Sequence, residues 1–272
     1  MSAATPIPIS ATHFGDLDDS GCDGCQGESQ QLGFEFSYAF QPIVDLRDGS
    51  VYAHEALVRG PNGESAGSVL AQVTDHNRYR FDQACRVKAI KDAVRLGLAA
   101  LPHTRLSINF LPNAVYRPEA CIRTTLAAAR SQGLPLERII FETTEGERVG
   151  DGRWYAEVMS EYRRIGFLNA IDDFGAGYAG LALLADFQPD LIKLDMGLLR
   201  DIDSHRPRQH IIKAVLGLCR EMGVQVIAEG VETRAERDWL WQQGAHLMQG
   251  YLFARPAFQG LVPAAEIEAL QR

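Results

Sequence analysis

Asp172 and Asp173 stand side by side at the end of an apolar run and are followed at once by the glycine-bearing stretch FGAG. Like charges on adjacent residues repel, so the pair implies a cation between or beyond them. Other polar groups stand at the ends of short apolar runs in the same way: Glu55 in HEALVRG, Asn109 in RLSINF, Glu142 in FETTE, Lys193 in LIKLD, Glu229 in AEGVE and Gln249 in MQGY. Carboxylates and one amide oxygen, with no His or Cys among them, are hard donors that suit Mg²⁺ or Mn²⁺ rather than zinc or copper. An Asp-Asp pair offers one residue able to bridge two ions and a neighbour to complete the second, the layout of two-metal phosphoester hydrolysis. Lys193 fits two readings, a group that positions water or steadies transition-state charge, and a plain ion-pair partner for the acids.

Such a set needs a scaffold that gathers distant residues. From Phe34 onward, short apolar runs alternate with amphipathic stretches of helical length, the pattern of a parallel α/β sheet. Strands are expected at 38–44, 51–58, 105–110, 138–141, 167–171, 191–194, 225–228 and 246–248, and helices at 82–98, 113–132, 152–164, 208–222 and 234–243. Eight strands with intervening helices predict a TIM-type (β/α)8 barrel, in which the C-terminal strand ends carry the chemistry. Only residues 45–50 separate the first two strands, too few for a crossover, so that pair is expected to be an antiparallel hairpin and the first strand reversed. Along the second strand Glu55, Leu57 and Arg59 share one parity and therefore one face. A lone Glu inside a barrel is costly to keep charged, whereas several carboxylates converging on divalent cations are not.

Bulk properties narrow the class. At 272 residues, 46% hydrophobic and 23% charged, the chain has the composition of a soluble globular protein. A net charge of −8 excludes gripping DNA or RNA by backbone neutralisation, and no apolar run approaches the roughly 20 residues of a membrane span. With no basic start to the N-terminus, the expected location is the cytoplasm.

Read in order, these motifs are similar to one family, the EAL domain, named for the Glu-Ala-Leu that stands here as residues 55–57. The resemblance runs from about Phe34 to Pro256 and is carried by QPIVD (41–45), EALVRG (55–60), INF (108–110), FETTE (141–145), DDFGAGY (172–178), IKLD (192–195), AEGVE (228–232) and QGYLFARP (249–256). It implies a phosphodiesterase that opens cyclic di-GMP to linear pGpG with two divalent cations, Mg²⁺ or Mn²⁺, on a barrel with a reversed first strand, and a homodimer. By the same resemblance Glu55, Asn109, Glu142 and Asp172 hold the first ion, with Asp172 bridging to a second held also by Asp173 and Glu229. Lys193 contacts the attacking water, so that Glu55, Asp173, Lys193 and Glu229 form the catalytic set. Arg59 meets a substrate phosphate, Leu57 and Pro256 line the nucleotide groove, and Gln41, Asn109, Asp195 and Gln249 complete the substrate contacts. Glu145 anchors the loop after the acids, and Gly175 and Gly177 give it a tight backbone. Active members typically read DDFG-Ser/Thr-GY-Ser-Ser there, and Ala176, Ala179 and Gly180 replace those hydroxyl residues here. The alternative of a catalytically silent cyclic di-GMP receptor predicts a missing acid, and none is missing.

Residues 1–33, rich in Ser, Gly, Asp and Gln, read as a flexible arm, leaving 34–272 as the domain. The arm holds Cys22 and Cys25 in a C-x-x-C, half of a zinc site, with His13 upstream; reduced, solvated thiols are the simpler reading. Cys85 and Cys219 are expected as buried apolar residues, and Trp239 and Trp241 as packing residues. His54, opposite in parity to Glu55, is expected to face the helix layer.

Overall fold

The computed structural model describes residues 32–112, 115, 121–144, 152–177 and 180–270. Its strands are β1 (Ser37–Asp45), β2 (Ser50–Arg59), β3 (Arg105–Asn109), β4 (Ile139–Thr144), β5 (Leu168–Phe174), β6 (Leu191–Leu194), β7 (Gln225–Ala228), β8 (Leu247–Met248) and a short β9 (Ala257–Phe258). The order β2-β3-β4-β5-β6-β7-β8-β1, with β1 also paired to β2, closes an eight-stranded barrel. Pairs from β2–β3 to β7–β8 are parallel, whereas β1 is antiparallel to both β2 and β8. The reversed first strand expected from the short 45–50 turn is present, and β9 adds an edge to β1.

The helices are α1 (Ala66–Leu70), α2 (Arg78–Arg95), α3 (Arg123–Ser131), α4 (Gly152–Ile165), α5 (Gly180–Asp186), α6 (Met196–Leu199), α7 (Arg206–Met222) and α8 (Arg234–Gln242). Four of the five long ones match expected helices with shifted ends; α3 lies within the expected 113–132, of which residues 113, 114 and 116–120 lie outside the described residues. The short α1, α5 and α6 were not expected, because four to seven residues hold no periodicity to read. The start of α8 is fixed by a capping box, in which the Thr233 hydroxyl accepts from the Glu236 amide and the Glu236 carboxylate accepts from the Thr233 amide.

Strand alternation divides the barrel interior into layers. Ile43, Ala53, Ile140, Ala170, Leu191, Ile227 and Leu247 form an apolar floor of buried residues. Each lies two positions along its strand from a polar interior residue: Gln41, Glu55, Glu142, Asp172, Lys193, Glu229 and Gln249. A two-residue step keeps the same face, so the polar layer sits directly above the floor, at the C-terminal ends of the parallel strands. The outward-facing residues pack against helices in two larger clusters, one around Phe141 and Tyr162 and one around Ile192 and Ile212. No helix among the described residues is long and apolar enough to cross a membrane.

Candidate metal centre

Lys193 occupies the middle of the polar layer. Its ammonium lies 2.7 Å from Glu229, 2.9 Å from Glu142, 3.1 Å from Asp172 and 3.2 Å from Glu55. It is 1% exposed, and Glu55, Glu142 and Asp172 are buried with it. Around this centre, Glu55 accepts from Asn109 Nδ2 at 3.1 Å and from Gln249 Nε2 at 2.8 Å, and Gln249 also reaches Gln41 Oε1 at 3.3 Å. Ser107 Oγ donates to the second oxygen of Glu142 at 2.5 Å. Gln249 Oε1 is buried without a hydrogen-bond partner, an acceptor facing a polar cavity that offers it nothing.

Consecutive strand residues face opposite sides, so Asp172 and Asp173 could not both enter the cavity from a regular strand. The β5–β6 register slips between Ile171 and Phe174, and within that slip Asp173 adopts a left-handed conformation, φ 54°. This bulge turns Asp173 back so that carboxylate oxygens of Asp172, Asp173 and Glu229 lie within 4.8 Å of one another. A second trio, Glu55, Glu142 and Asp172, meets the same criterion, and Asp172 belongs to both. Beyond the bulge, Gly175 has φ 96° and a Cβ there would fall 2.3 Å from Leu198 Cδ1, so a side chain would strain the backbone and displace Leu198. Gly177 ends the described part of this loop; Glu145, Tyr178 and Ala179 lie outside the described residues.

Charge balance shows what the cavity lacks. Five carboxylates, those of Glu55, Glu142, Asp172, Asp173 and Glu229, surround one ammonium, and with all five ionised the excess is four negative charges. Burial pushes Glu142 well above the usual carboxylate range, with Glu55 and Asp172 adding to the effect against Lys193. Burial likewise lifts Glu229 to about 8 despite Lys193. Asp173 is raised by burial and by Asp172. Glu55 goes the other way: burial opposes its charge, but Lys193, Gln249 and Asn109 together hold it below its ordinary value. Lys193 is held well above its own by the four acids, which outweigh its burial. Carboxylates in excess of ammonium, all hard oxygen donors, fit divalent cations, which would displace the protons that burial otherwise favours on Glu142 and Glu229.

A cavity of about 320 Å³ opens above these residues, lined by Gln41, Leu57, Asp195, Gly230, Glu232 and Tyr251 as well as Glu55, Asp172, Asp173 and Glu229. Asp195 accepts from the Gly197 amide at 2.9 Å and so also caps α6. Arg59 and Asn109 line an adjoining, more apolar cavity of about 310 Å³ that shares Leu57 with the first and runs towards Leu70 and Phe81. Pro256, placed by resemblance at the groove, is half-buried and lines neither cavity. A larger cavity of about 490 Å³, between α4 and α5 outside the barrel, contains none of these residues; volume alone does not mark the site. Ser107 was missed from the sequence although its parity with Asn109, two positions on, places it on the interior face.

Other expectations divide. Cys85 and Cys219 are buried, and burial pushes their thiols to about 12 and about 11. His54 is fully buried behind the barrel wall, where burial lowers it to about 4. Trp239 packs against the core, but Trp241 is 41% exposed and meets His246 in a tilted contact with ring centres 4.5 Å apart, so it is a surface ring. His13, Cys22 and Cys25 lie outside the described residues.

Residues 28–256 match the family model described as the EAL domain. A structure of a standalone versatile EAL protein from Vibrio cholerae O395 in its c-di-GMP-bound form aligns with TM-score 0.82 and 53% identity, over 86% of this chain and 97% of that one. The manganese and cyclic di-GMP complex of Klebsiella pneumoniae BlrP1 aligns with TM-score 0.76 and 39% identity, over 84% and 58%. Among curated proteins, the blue light- and temperature-regulated antirepressor BluF of Escherichia coli K12 is 34% identical over 82% of this chain and 55% of its own length. The cyclic di-GMP phosphodiesterase PA2567 of Pseudomonas aeruginosa is 31% identical over 84% and 40%. The chain thus spans about half the length of these curated relatives or less.

Proposed function

The chain belongs to the EAL domain family, and we propose that it is a metal-dependent phosphodiesterase that hydrolyses cyclic di-GMP to linear pGpG. The observation that carries this reading is the acid cluster at the strand ends, in which Glu55, Glu142 and Asp172 form one trio of oxygen donors and Asp172, Asp173 and Glu229 a second, around Lys193. Glu55, Asn109, Glu142 and Asp172 are the residues to hold a first Mg²⁺ or Mn²⁺, and Asp172, Asp173 and Glu229 a second. When bound, the cations supply the Lewis acidity that activates water for attack on phosphorus and neutralise the phosphodiester charge.

The chain's own residues do the rest. Glu55, fixed by Gln249 and Asn109, is kept ionised and so ready to act as a ligand without losing a proton. Asn109 presents Nδ2 to Glu55; rotation of its amide by 180° places Oδ1 in that position. Lys193, released from four carboxylates, is left to hold water for attack and to offset charge that develops in the transition state. Arg59 donates to the Val58 carbonyl at 2.7 Å and has no carboxylate partner among the described residues, which leaves its guanidinium for a substrate phosphate. Leu57, shared by both cavities, gives an apolar surface for a base. Gln41, Asp195 and Gln249 supply polar contacts around the ring. The similar proteins named above, one holding c-di-GMP and another carrying the phosphodiesterase name, support this reading. We place the chain in the cytoplasm as a homodimer.

The deciding assay incubates purified protein with cyclic di-GMP and Mn²⁺ or Mg²⁺, with chelator as control, and resolves the products by chromatography. Formation of pGpG is expected in the presence of metal, and Glu55→Ala is expected to drive it below detection while circular dichroism stays native. Tight cyclic di-GMP binding without pGpG would make the chain a receptor instead.

A further inference from the structure

A second buried ionic pair lies behind the barrel wall. Asp82 and Arg86, one turn apart on α2, are 2% and 0% exposed, and Arg86 Nη2 meets Asp82 Oδ2 at 2.6 Å. Replacing a buried ion pair by well-packed apolar residues is often neutral or stabilising, so stability alone does not account for the pair. Its contacts do. The other oxygen of Asp82 accepts from the Leu111 amide at 3.1 Å, immediately beyond the end of β3. The Arg86 guanidinium lies 5.3 Å from the centre of the Phe110 ring and 6.0 Å from that of Phe141, with Tyr162 Oη at 3.5 Å. Phe110 follows Asn109, and Phe141 precedes Glu142. By strand alternation the two rings face the helix layer while their neighbours face the cavity. The two strand ends are also tied to each other, Phe110 N donating to Glu142 O at 2.8 Å.

We propose that Asp82 and Arg86 are a positioning pair for the metal centre: from outside the barrel, the Leu111 amide and the Phe110 and Phe141 rings are the handles by which they fix where Asn109 and Glu142 stand. The pair touches neither substrate nor cation, so its role is geometric. Arg86 suits the task because a planar cation meets two ring faces while keeping a charge-assisted bond to Asp82. Its Nε, buried and without a hydrogen-bond partner, belongs to a guanidinium held by rings as much as by polar groups.

This inference rests on the metal-binding reading above, and the test separates the two. Mn²⁺ binding to the purified, chelator-treated full chain is measured by titration calorimetry, beside the thermal midpoint without metal. The native chain is expected to bind Mn²⁺; if it does not, the metal reading itself fails. Asp82→Leu/Arg86→Met removes both charges and preserves apolar packing. Its midpoint is expected to stay close to native, while Mn²⁺ affinity falls about ten- to a hundredfold, as for other residues that support metal ligands from behind. Asp82→Asn/Arg86→Met, which keeps an acceptor for the Leu111 amide but leaves the rings without the guanidinium, is expected to recover part of that loss. Mn²⁺ affinity within twofold of native in the Leu/Met variant would overturn the proposal. A reading that needs no variant is hydrogen exchange in the native chain. The Leu111 amide is expected among the slowly exchanging amides, and complete exchange at the first time point would overturn the handle whatever the variants do.

Discussion

The two buried ionic clusters of this barrel differ in arithmetic. In the helix layer, Arg86 meets Asp82, one charge against one, and the neighbouring rings and the Leu111 amide complete the set. In the barrel mouth, Lys193 meets four carboxylates, with Asp173 close by as a fifth. A balanced pair is finished by folding. An unbalanced cluster is left to take up protons or cations, and here its oxygen donors are of the kind that suits divalent cations.

The largest effects test that distinction directly. In chelator-treated protein, Lys193→Met and Arg86→Met each leave buried acids without their cation and are expected to cost about 3–5 kcal/mol in denaturant unfolding. Mn²⁺ is expected to restore stability to Lys193→Met, since the ion takes over the work of the ammonium, and not to Arg86→Met. An equal response of the two variants would erase the distinction.

A smaller effect sharpens it at the rim. Gly250 follows Gln249, and a Cβ there would fall 2.0 Å from Val231 O and 2.3 Å from Val231 N, against backbone that cannot move aside cheaply. Gly250→Ala is expected to cost about 1–3 kcal/mol by thermal or denaturant unfolding. It is also expected to weaken Mn²⁺ binding, by shifting the Gln249 bond to Glu55. Loss of stability with unchanged Mn²⁺ affinity would show that Gln249 does not help to hold the site.

The smallest effect concerns the sealed ground behind the wall. Cys85, beside Arg86, and Cys219 are buried, and their thiols are pushed to about 12 and about 11, so the thiolate fraction at pH 8 is about one part in a thousand or less. A Cys22→Ser/Cys25→Ser variant is expected to resist a maleimide at pH 8 when native and to react at Cys85, Cys121 and Cys219 when denatured, as read by mass spectrometry. Rapid native labelling of Cys85 would mean that the helix layer around the balanced pair opens.

Much of the site was legible because strand parity is a two-state code. Once Glu55 is assigned to the interior, Leu57 follows, and the ends of seven strands line up on one rim without knowledge of any contact. What escaped is what parity cannot express. Asp173 enters the cavity through a bulge, and the expected strand stopped at Ile171 because a bulged segment looks like a loop in sequence. That Lys193 partners four acids at once needed distances to see. Asp82 and Arg86 look like an ordinary i,i+4 helix pair of the kind usually found in solvent, and nothing in their spacing shows that they are enclosed. The short α1, α5, α6 and β9 escaped for want of length.

The reversed first strand has a geometric corollary. Because β1 runs against its neighbours, Ser37 at its start pairs with Arg59 at the end of β2, so the main chain enters the barrel at the mouth rather than at the floor. Leu32, Phe34 and Phe36 pack on Phe81 and Cys85 just before that entry, beside the cavity that Arg59 lines. In an all-parallel barrel an N-terminal extension is tethered at the far pole from the chemistry. Here the tether point is on the doorstep, so whatever the polypeptide carries upstream has the shortest possible lever on the cleft.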